Sequence, residues 1–171
     1  MQMESLQQDF ERGVGDRFAE WLASSTGTPC TFLRRADQAP DLIYSFREAD
    51  LLIEITAAYY DRAHAEFLWK GARNAQDAPA GWSGDGPDKS LADAIACCIF
   101  EKSKKRYGAN TILLIELPPG VTSAERLAEL LVGLTLPSAM QFVGIYVVGR
   151  FPITVGSTGG YRVLPIKPFH Q

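Results

Sequence analysis

The fold of this chain is decided by residues 40–56, which read PDLIYSFREADLLIEIT. The stretches Asp41 to Phe46 and Leu51 to Thr56 each have the length and the apolar content of a β-strand. The polar residues 47–50 between them form a turn, so the segment predicts a hairpin. Its second strand is apolar on both faces, as in a central strand. The Glu54 carboxylate within it is therefore costly to bury unless another group pairs with it.

Regular elements are predicted on both sides of this hairpin. Large apolar residues recur at steps of three or four from Ser5 to Ser24, which indicates a long helix, and Cys30 to Arg35 is a short β-compatible stretch. Later elements follow in the order helix (Ser90 to about Tyr107, then Gly108), strand (Thr111 to Leu117), helix (Ala124 to about Gly133), strand (Gln141 to Gly149) and short strand-like pieces after Pro152. Alternating helices and strands require crossover connections and at least one parallel pair. The sequence therefore predicts an α/β fold in which a mixed central β-sheet is flanked by helices on both faces.

Length and composition indicate a single globular domain over residues 1–171. Seventeen Lys and Arg residues against twenty Asp and Glu residues give a net charge of −3, so a nucleic-acid partner would need a local basic patch. The chain has three cysteines, two of them adjacent, which indicates reduced thiols. Met1 to Glu11 lacks the apolar core of a signal peptide, and no apolar run approaches the ~18 residues of a membrane span. We expect a cytoplasmic protein with no membrane partner.

A long segment, residues 57–89, interrupts the predicted elements. A short helix fits the stretch Ala63 to Arg73, but residues 78–87 contain too many prolines and glycines to hold regular structure. Insertions of this length in compact domains are usually functional lids or disordered segments. We predict a lid-like insertion within the single domain.

Two carboxylates stand out on the hairpin, Asp41 at the start of its first strand and Glu54 near the end of its second. If the turn sets a suitable register, antiparallel pairing brings the two side chains together at one end of the sheet. Magnesium prefers oxygen ligands and is typically held by one or two carboxylates, and the backbone carbonyl of Ile55 offers a further oxygen. The hairpin therefore predicts a site for Mg²⁺, or for Mn²⁺ in its place. Turn chemistry after Pro40 is an equally good explanation of Asp41 taken alone.

The arrangement Pro40-Asp41 followed by Glu54-Ile55-Thr56 lies within the order helix–strand–strand–strand–helix–strand. Over roughly residues 5–117 it resembles the PD-(D/E)XK nuclease superfamily. The resemblance implies a restriction-endonuclease-like α-β-β-β-α-β core in which Asp41 and Glu54 are the metal-binding carboxylates. It also implies metal-dependent hydrolysis of phosphodiester bonds in DNA, and it allows a homodimer, since many nucleases of this fold are dimers.

Thr56 departs from the family pattern, because it stands where the family usually has its catalytic lysine. Its hydroxyl can donate a hydrogen bond but carries no positive charge, and threonine is also an ordinary strand residue. Some members of the superfamily place the lysine on the neighbouring helix. In the helix predicted from Ser90, the apolar stripe continues in phase to Lys102 and then to Lys105. Lys102 is the best candidate for the missing catalytic charge and Lys105 the second, although a lysine snorkelling along a helix flank is equally compatible.

Family members often contribute a further acidic residue from the first helix. Glu11 and Glu20 both lie on that helix, and the spacing alone does not choose between them as a third metal ligand, with a slight preference for Glu11. The basic residues expected to grip the nucleic-acid backbone are Lys70, Arg73, Lys105 and Arg106. The basic run at the end of the helix is also explained as a complement to the helix dipole on a solvated face.

Two other functions stay open at this point. A catalytically inactive relative could keep the fold as a nucleic-acid or protein interaction module, for which Thr56 and the net negative charge argue. A small α/β assembly subunit with no nucleic-acid role is the third interpretation. Metal binding distinguishes the inactive module from the active enzyme, because only the enzyme should bind Mg²⁺ or Mn²⁺ through its carboxylates.

Overall fold

The computed structural model describes residues 2–59, 87–118, 122–151 and 160–169. Within these ranges the helices are α1 (Gln2–Thr26), α2 (Pro87–Ser103) and α3 (Ala124–Leu131). The strands are β1 (Cys30–Arg35), β2 (Leu42–Phe46), β3 (Ala49–Ala57), β4 (Thr111–Leu117), β5 (Gly144–Phe151) and β6 (Gly160–Lys167).

These strands form one mixed sheet in the order β1-β2-β3-β4-β5-β6. The first three strands are antiparallel neighbours, β3, β4 and β5 run parallel, and β6 returns antiparallel on β5. Parallel neighbours need crossover connections, and α2 and α3 lie on the two crossovers, before β4 and before β5. The predicted α/β class, with a mixed sheet and an antiparallel hairpin at one side, is confirmed.

Helices cover both faces of the sheet. On one face, Phe18 and Leu22 of α1 belong to a cluster that includes Ile55 of β3. On the other face, α2 and α3 contribute Ile95 and their other apolar residues to a second cluster. Because successive side chains of a strand point to opposite faces, Glu54 lies on the α2 face of the sheet. The fold thus directs a single acidic side chain of the central strand toward α2.

The turn between β2 and β3 is shorter than the four residues predicted. It consists of Arg47 and Glu48, whose φ angles of 52° and 63° are both left-handed. Ala49 and Asp50 already pair with Phe46 and with the residue before it. Two left-handed residues are typical of a two-residue hairpin loop, which usually carries Asn or Gly. Arg-Glu gives no such signal, and the boundaries predicted for the turn are wrong.

The boundaries of α2 also differ from those predicted. The helix begins at Pro87 and ends at Ser103, so Lys105 lies beyond its end and Gly108 does not terminate it. Since β3 extends to Ala57 and α2 begins at Pro87, both ends of the predicted insertion belong to regular elements. Its middle, residues 60–86, lies outside the described residues and includes the predicted short helix.

Agreement is closer in the second half of the sheet. Strand β4 matches the prediction to the residue, whereas β5 begins three residues later and ends two residues later than predicted. Strand β6 is one regular element of 8 residues where only short pieces are predicted.

The structure adds two observations about the expected environment. The cysteines Cys30, Cys97 and Cys98 all carry free thiols. None of the described helices is both long enough and apolar enough to span a bilayer.

Candidate functional site

The β2–β3 hairpin brings Asp41 and Glu54 together. Leu42 pairs with Ile53, which places Asp41 level with Glu54 on the neighbouring strand. The Oδ2 atom of Asp41 accepts a hydrogen bond from the backbone N–H of Ile55 at 2.7 Å. Burial, reinforced by the negative charge of Glu54, raises the pKa of Asp41 to about 6. The two carboxylates therefore interact electrostatically, as the predicted hairpin requires.

Glu54 is only 2% exposed, and its two oxygens differ in their contacts. Oε1 accepts hydrogen bonds from Lys102 Nζ at 2.5 Å and from the Tyr107 hydroxyl at 3.2 Å. Oε2 is buried and has no hydrogen-bond partner among the described residues. A buried carboxylate oxygen without a donor is costly, so Oε2 of Glu54 needs a partner beyond those that the described residues provide.

Lys102 faces the sheet, as the helical stripe predicts. Its side chain is 20% exposed and forms an ion pair with Glu54. This ion pair favours a place for Lys102 in the site over a lysine that only snorkels along the helix flank. Lys105 does not share this position, because it lies outside the helix and is exposed.

Thr56 lies on the same face of β3 as Glu54 and contacts α2. Its side chain forms a hydrogen bond with Cys98 of α2, and the Cys98 thiol donates to the carbonyl of Ala57 at 3.8 Å. Burial raises the pKa of this thiol above its usual range. Thr56 thus joins β3 to α2 one helical turn before Lys102.

The backbone carbonyl of Ile55 lies on the side of the strand that the predicted site needs. The N–H groups of Leu52 and Ala58 point toward β4, where they bond the carbonyls of Asn110 and Glu116. Backbone groups alternate in direction along a strand, and the N–H of Ile55 accordingly points away from β4 to Asp41. The carbonyl of the same residue faces the same side, beyond the end of β2.

The acidic residues predicted on the first helix behave differently from Asp41 and Glu54. Glu11 is buried, forms an ion pair with Arg35 and accepts a hydrogen bond from Gln7 at 2.8 Å. Its charge reaches Asp41 and contributes to the raised pKa there. However, the described residues contain no group of three or more His, Cys, Asp or Glu side chains that could hold a metal ion. Glu11 is paired with Arg35, and Glu20 is exposed.

The predicted basic residues form no described cluster around these carboxylates. Lys105 and Arg106 are exposed just after α2, on the segment that links Lys102 to Tyr107. Lys70 and Arg73 lie outside the described residues.

Two residues of the site are missed by the sequence prediction, Tyr107 and Arg35. Tyr107 is assigned there to the end of a helix, but it lies in the segment after α2 and reaches back to Glu54. Burial and the charge of Glu54 raise the pKa of Tyr107 above its ordinary range. Arg35 ends β1, and its guanidinium also donates to the carbonyl of Gln8 at 3.0 Å. Both contacts join residues far apart in the chain, so no local pattern could reveal them.

No protein-family model, curated protein or solved structure significantly matches the chain. The chemistry of the site must therefore be judged from its own donors.

Those donors fit a hard divalent cation. Asp41 and Glu54 supply carboxylate oxygens, and the Ile55 carbonyl faces the same side of β3 as the N–H group that bonds Asp41. Burial and the charge of Glu54 raise the pKa of Asp41, a cost that a bound cation would offset, and Oε2 of Glu54 has no donor among the described residues. A set made only of oxygens favours Mg²⁺ or Mn²⁺, and two carboxylates with waters and a substrate phosphate are a common arrangement for Mg²⁺.

Proposed function

We propose that this protein is a metal-dependent hydrolase of phosphodiester bonds in DNA, built like the nucleases of the PD-(D/E)XK superfamily. The observation that carries the proposal is the proximity of Glu54 on β3, Lys102 on α2 and Asp41 just before β2 at one partly buried site. The element order α1-β1-β2-β3-α2-β4 supports it. In this proposal the enzyme acts in the cytoplasm, and a homodimer is the assembly suggested by the resemblance.

In the proposed site, Asp41, Glu54 and the Ile55 carbonyl hold Mg²⁺ or Mn²⁺. A divalent cation there supplies the acidity that activates water and offsets negative charge on the phosphate. Lys102 supplies the mobile positive charge: its ammonium group neutralises Glu54 in the cation-free site. Once a cation shares that carboxylate, the ammonium can turn to the attacking water or to a phosphate oxygen and stabilise charge that develops there.

Cleavage assays test this proposal directly. Supercoiled plasmid and short linear DNA are incubated with the protein in Mg²⁺ or Mn²⁺, and the variants are Asp41→Asn, Glu54→Gln and Lys102→Met. Each variant should lose about 100-fold or more in rate, because each removes a charge that acts on the transition state.

The chain offers a matched control for each kind of change. Glu116→Gln alters a partly buried carboxylate that pairs with Arg17 instead of Lys102, at 3.4 Å. Lys104→Met removes an exposed ammonium from the residue just after α2. Both controls should cleave at the wild-type rate. Cleavage that survives Asp41→Asn unchanged would show that the activity belongs to a contaminant or to another site, and the proposal would fall.

A catalytically inactive interaction module is the second candidate. Thr56 brings no charge to the family's lysine position, and the described residues contain no group of three acidic, His or Cys ligands. Calorimetric titration with Mn²⁺ distinguishes the two functions. The enzyme should bind the ion in a way that Asp41→Asn abolishes, whereas an inactive module should show no such binding while still retaining DNA at low salt.

A further inference from the structure

Tyr107 is the third group at the Glu54 carboxylate, and the fold fixes it from two sides. Its ring packs against the buried ring of Phe142, with centroids 4.9 Å apart. Its backbone N–H donates to the Gln141 side-chain oxygen at 3.0 Å. The segment before β5 thus holds the phenol in place, and its hydroxyl donates to Oε1 of Glu54 at 3.2 Å.

Both donors to Glu54 use the same oxygen. Lys102 and Tyr107 contact Oε1, while Oε2 is buried and has no donor within the described part of the chain. The Lys102 side chain is flexible and charged, and in the proposed function it leaves Glu54 for the substrate. The phenol is uncharged and its ring packs on Phe142, so it can stay on Oε1 when the ammonium moves away.

We propose that Tyr107 is a positioning residue, whose hydroxyl fixes the Glu54 carboxylate by Oε1 and keeps Oε2 turned toward a divalent cation. This inference rests on the proposed function, because it takes Glu54 as a ligand of that cation. Partners of this kind orient metal-binding carboxylates, and their removal typically weakens metal binding by 10-fold to 100-fold.

Titration of the full chain with Mn²⁺, followed by calorimetry, tests the role of the hydroxyl. Tyr107→Phe removes the hydroxyl and keeps the ring on Phe142, and it should raise the Kd for Mn²⁺ about tenfold. Tyr44→Phe is the matched control, because the buried Tyr44 hydroxyl donates to a different carboxylate, that of Asp16, at 2.8 Å. The control should lose thermal stability and keep the wild-type Kd.

A third variant separates the hydroxyl from the packing of its segment. Gln141→Ala changes an exposed side chain and releases only the Tyr107 backbone, so its Kd should lie between those of the wild type and Tyr107→Phe. Three results would each overturn the inference. Tyr107→Phe could keep the wild-type Kd for Mn²⁺, Tyr44→Phe could lose as much Mn²⁺ affinity as Tyr107→Phe, or Gln141→Ala could lose more Mn²⁺ affinity than Tyr107→Phe. If the wild type binds no Mn²⁺ through Asp41, the proposed function and this inference fail together. A normal Kd in Tyr107→Phe alone removes only the inference.

Discussion

Replacement of Lys102 by methionine isolates the buried ion pair, because methionine keeps an unbranched side chain and removes the charge. Glu54 is 2% exposed, so its carboxylate would stay buried after its charged partner is lost. Removing one member of a buried ion pair costs about 3–5 kcal/mol. Lys102 is itself 20% exposed and Tyr107 still donates to Glu54, so we expect the lower end, about 3 kcal/mol of unfolding free energy at pH 7.

Urea unfolding followed by circular dichroism measures this loss, with Lys104→Met as the control. Lys104 pairs with Glu101 at 2.6 Å, but the two side chains are 54% and 58% exposed. Exposed pairs contribute about 0.2–1 kcal/mol, so the control should change little. The reasoning is refuted if Lys102→Met proves no more destabilising than Lys104→Met, since Glu54 would then not depend on the ammonium group.

The same variant shows whether a cation and the ammonium group compete for Glu54. Without Lys102 the carboxylate has lost its positive partner, so Lys102→Met should bind Mn²⁺ more tightly than the wild type while it loses activity. Mn²⁺ at about 100 times its Kd adds about 2.7 kcal/mol to stability, which would restore most of the loss. Tighter binding together with lower activity is hard to obtain from a damaged fold. Weaker Mn²⁺ binding by the variant would contradict the competition.

Three further predictions concern pH and packing. Burial raises the pKa of Asp41 to about 6, above the unfolded value of about 3.9, so the contribution of this group to stability is fully present below pH 4 and is lost as pH rises through 6. In chelator, the unfolding free energy of the wild type should fall by about 2 kcal/mol more between pH 4 and pH 7.5 than that of Asp41→Asn, and parallel curves for the two proteins would contradict this prediction. Burial likewise raises the pKa of Glu116 to about 7, opposed by Arg17, so Glu116→Gln should flatten the decline in stability between pH 5 and pH 8 in the same assay. Gly15→Ala would place a Cβ atom 2.6 Å from the Tyr44 hydroxyl oxygen. Although alanine has the better helix propensity, this overlap should lower the unfolding free energy by about 1–3 kcal/mol in a thermal melt. An unchanged melting temperature would contradict this prediction.

The elements that the sequence predicts best are those whose limits are set locally. Strand β4 is an apolar run between Asn110 and Pro118, and the structure gives it the predicted bounds. The end of α2 does not follow from such a local signal. The helical spacing continues in phase to Lys105, but the helix ends at Ser103, and Tyr107 beyond it contacts Glu54 and Phe142. A periodic pattern contains no information about such a distant contact.

The same distinction between local signals and distant contacts applies to the residues of the site. The positions of Asp41 and Glu54 follow from a hairpin whose strands are visible in the sequence, and the direction of Lys102 follows from helical phase. The engagement of Glu11 by Arg35 joins residues 24 apart, and that of Glu54 by Tyr107 joins residues 53 apart. Neither pair shares an element, so only the assembled fold could show them.

The spacing of two contacts between β3 and α2 explains why the lysine that pairs with Glu54 comes from the helix. Thr56 meets Cys98 and Glu54 meets Lys102, so two residues along the strand match four residues along the helix, in the opposite direction. Two strand residues span about 6.6 Å and four helical residues about 6 Å, so the two pairs fit one straight packing of helix on strand. A lysine at position 56 would meet Cys98, in a place where burial already raises the pKa of the thiol and disfavours charge. A lysine at 102 meets the carboxylate directly.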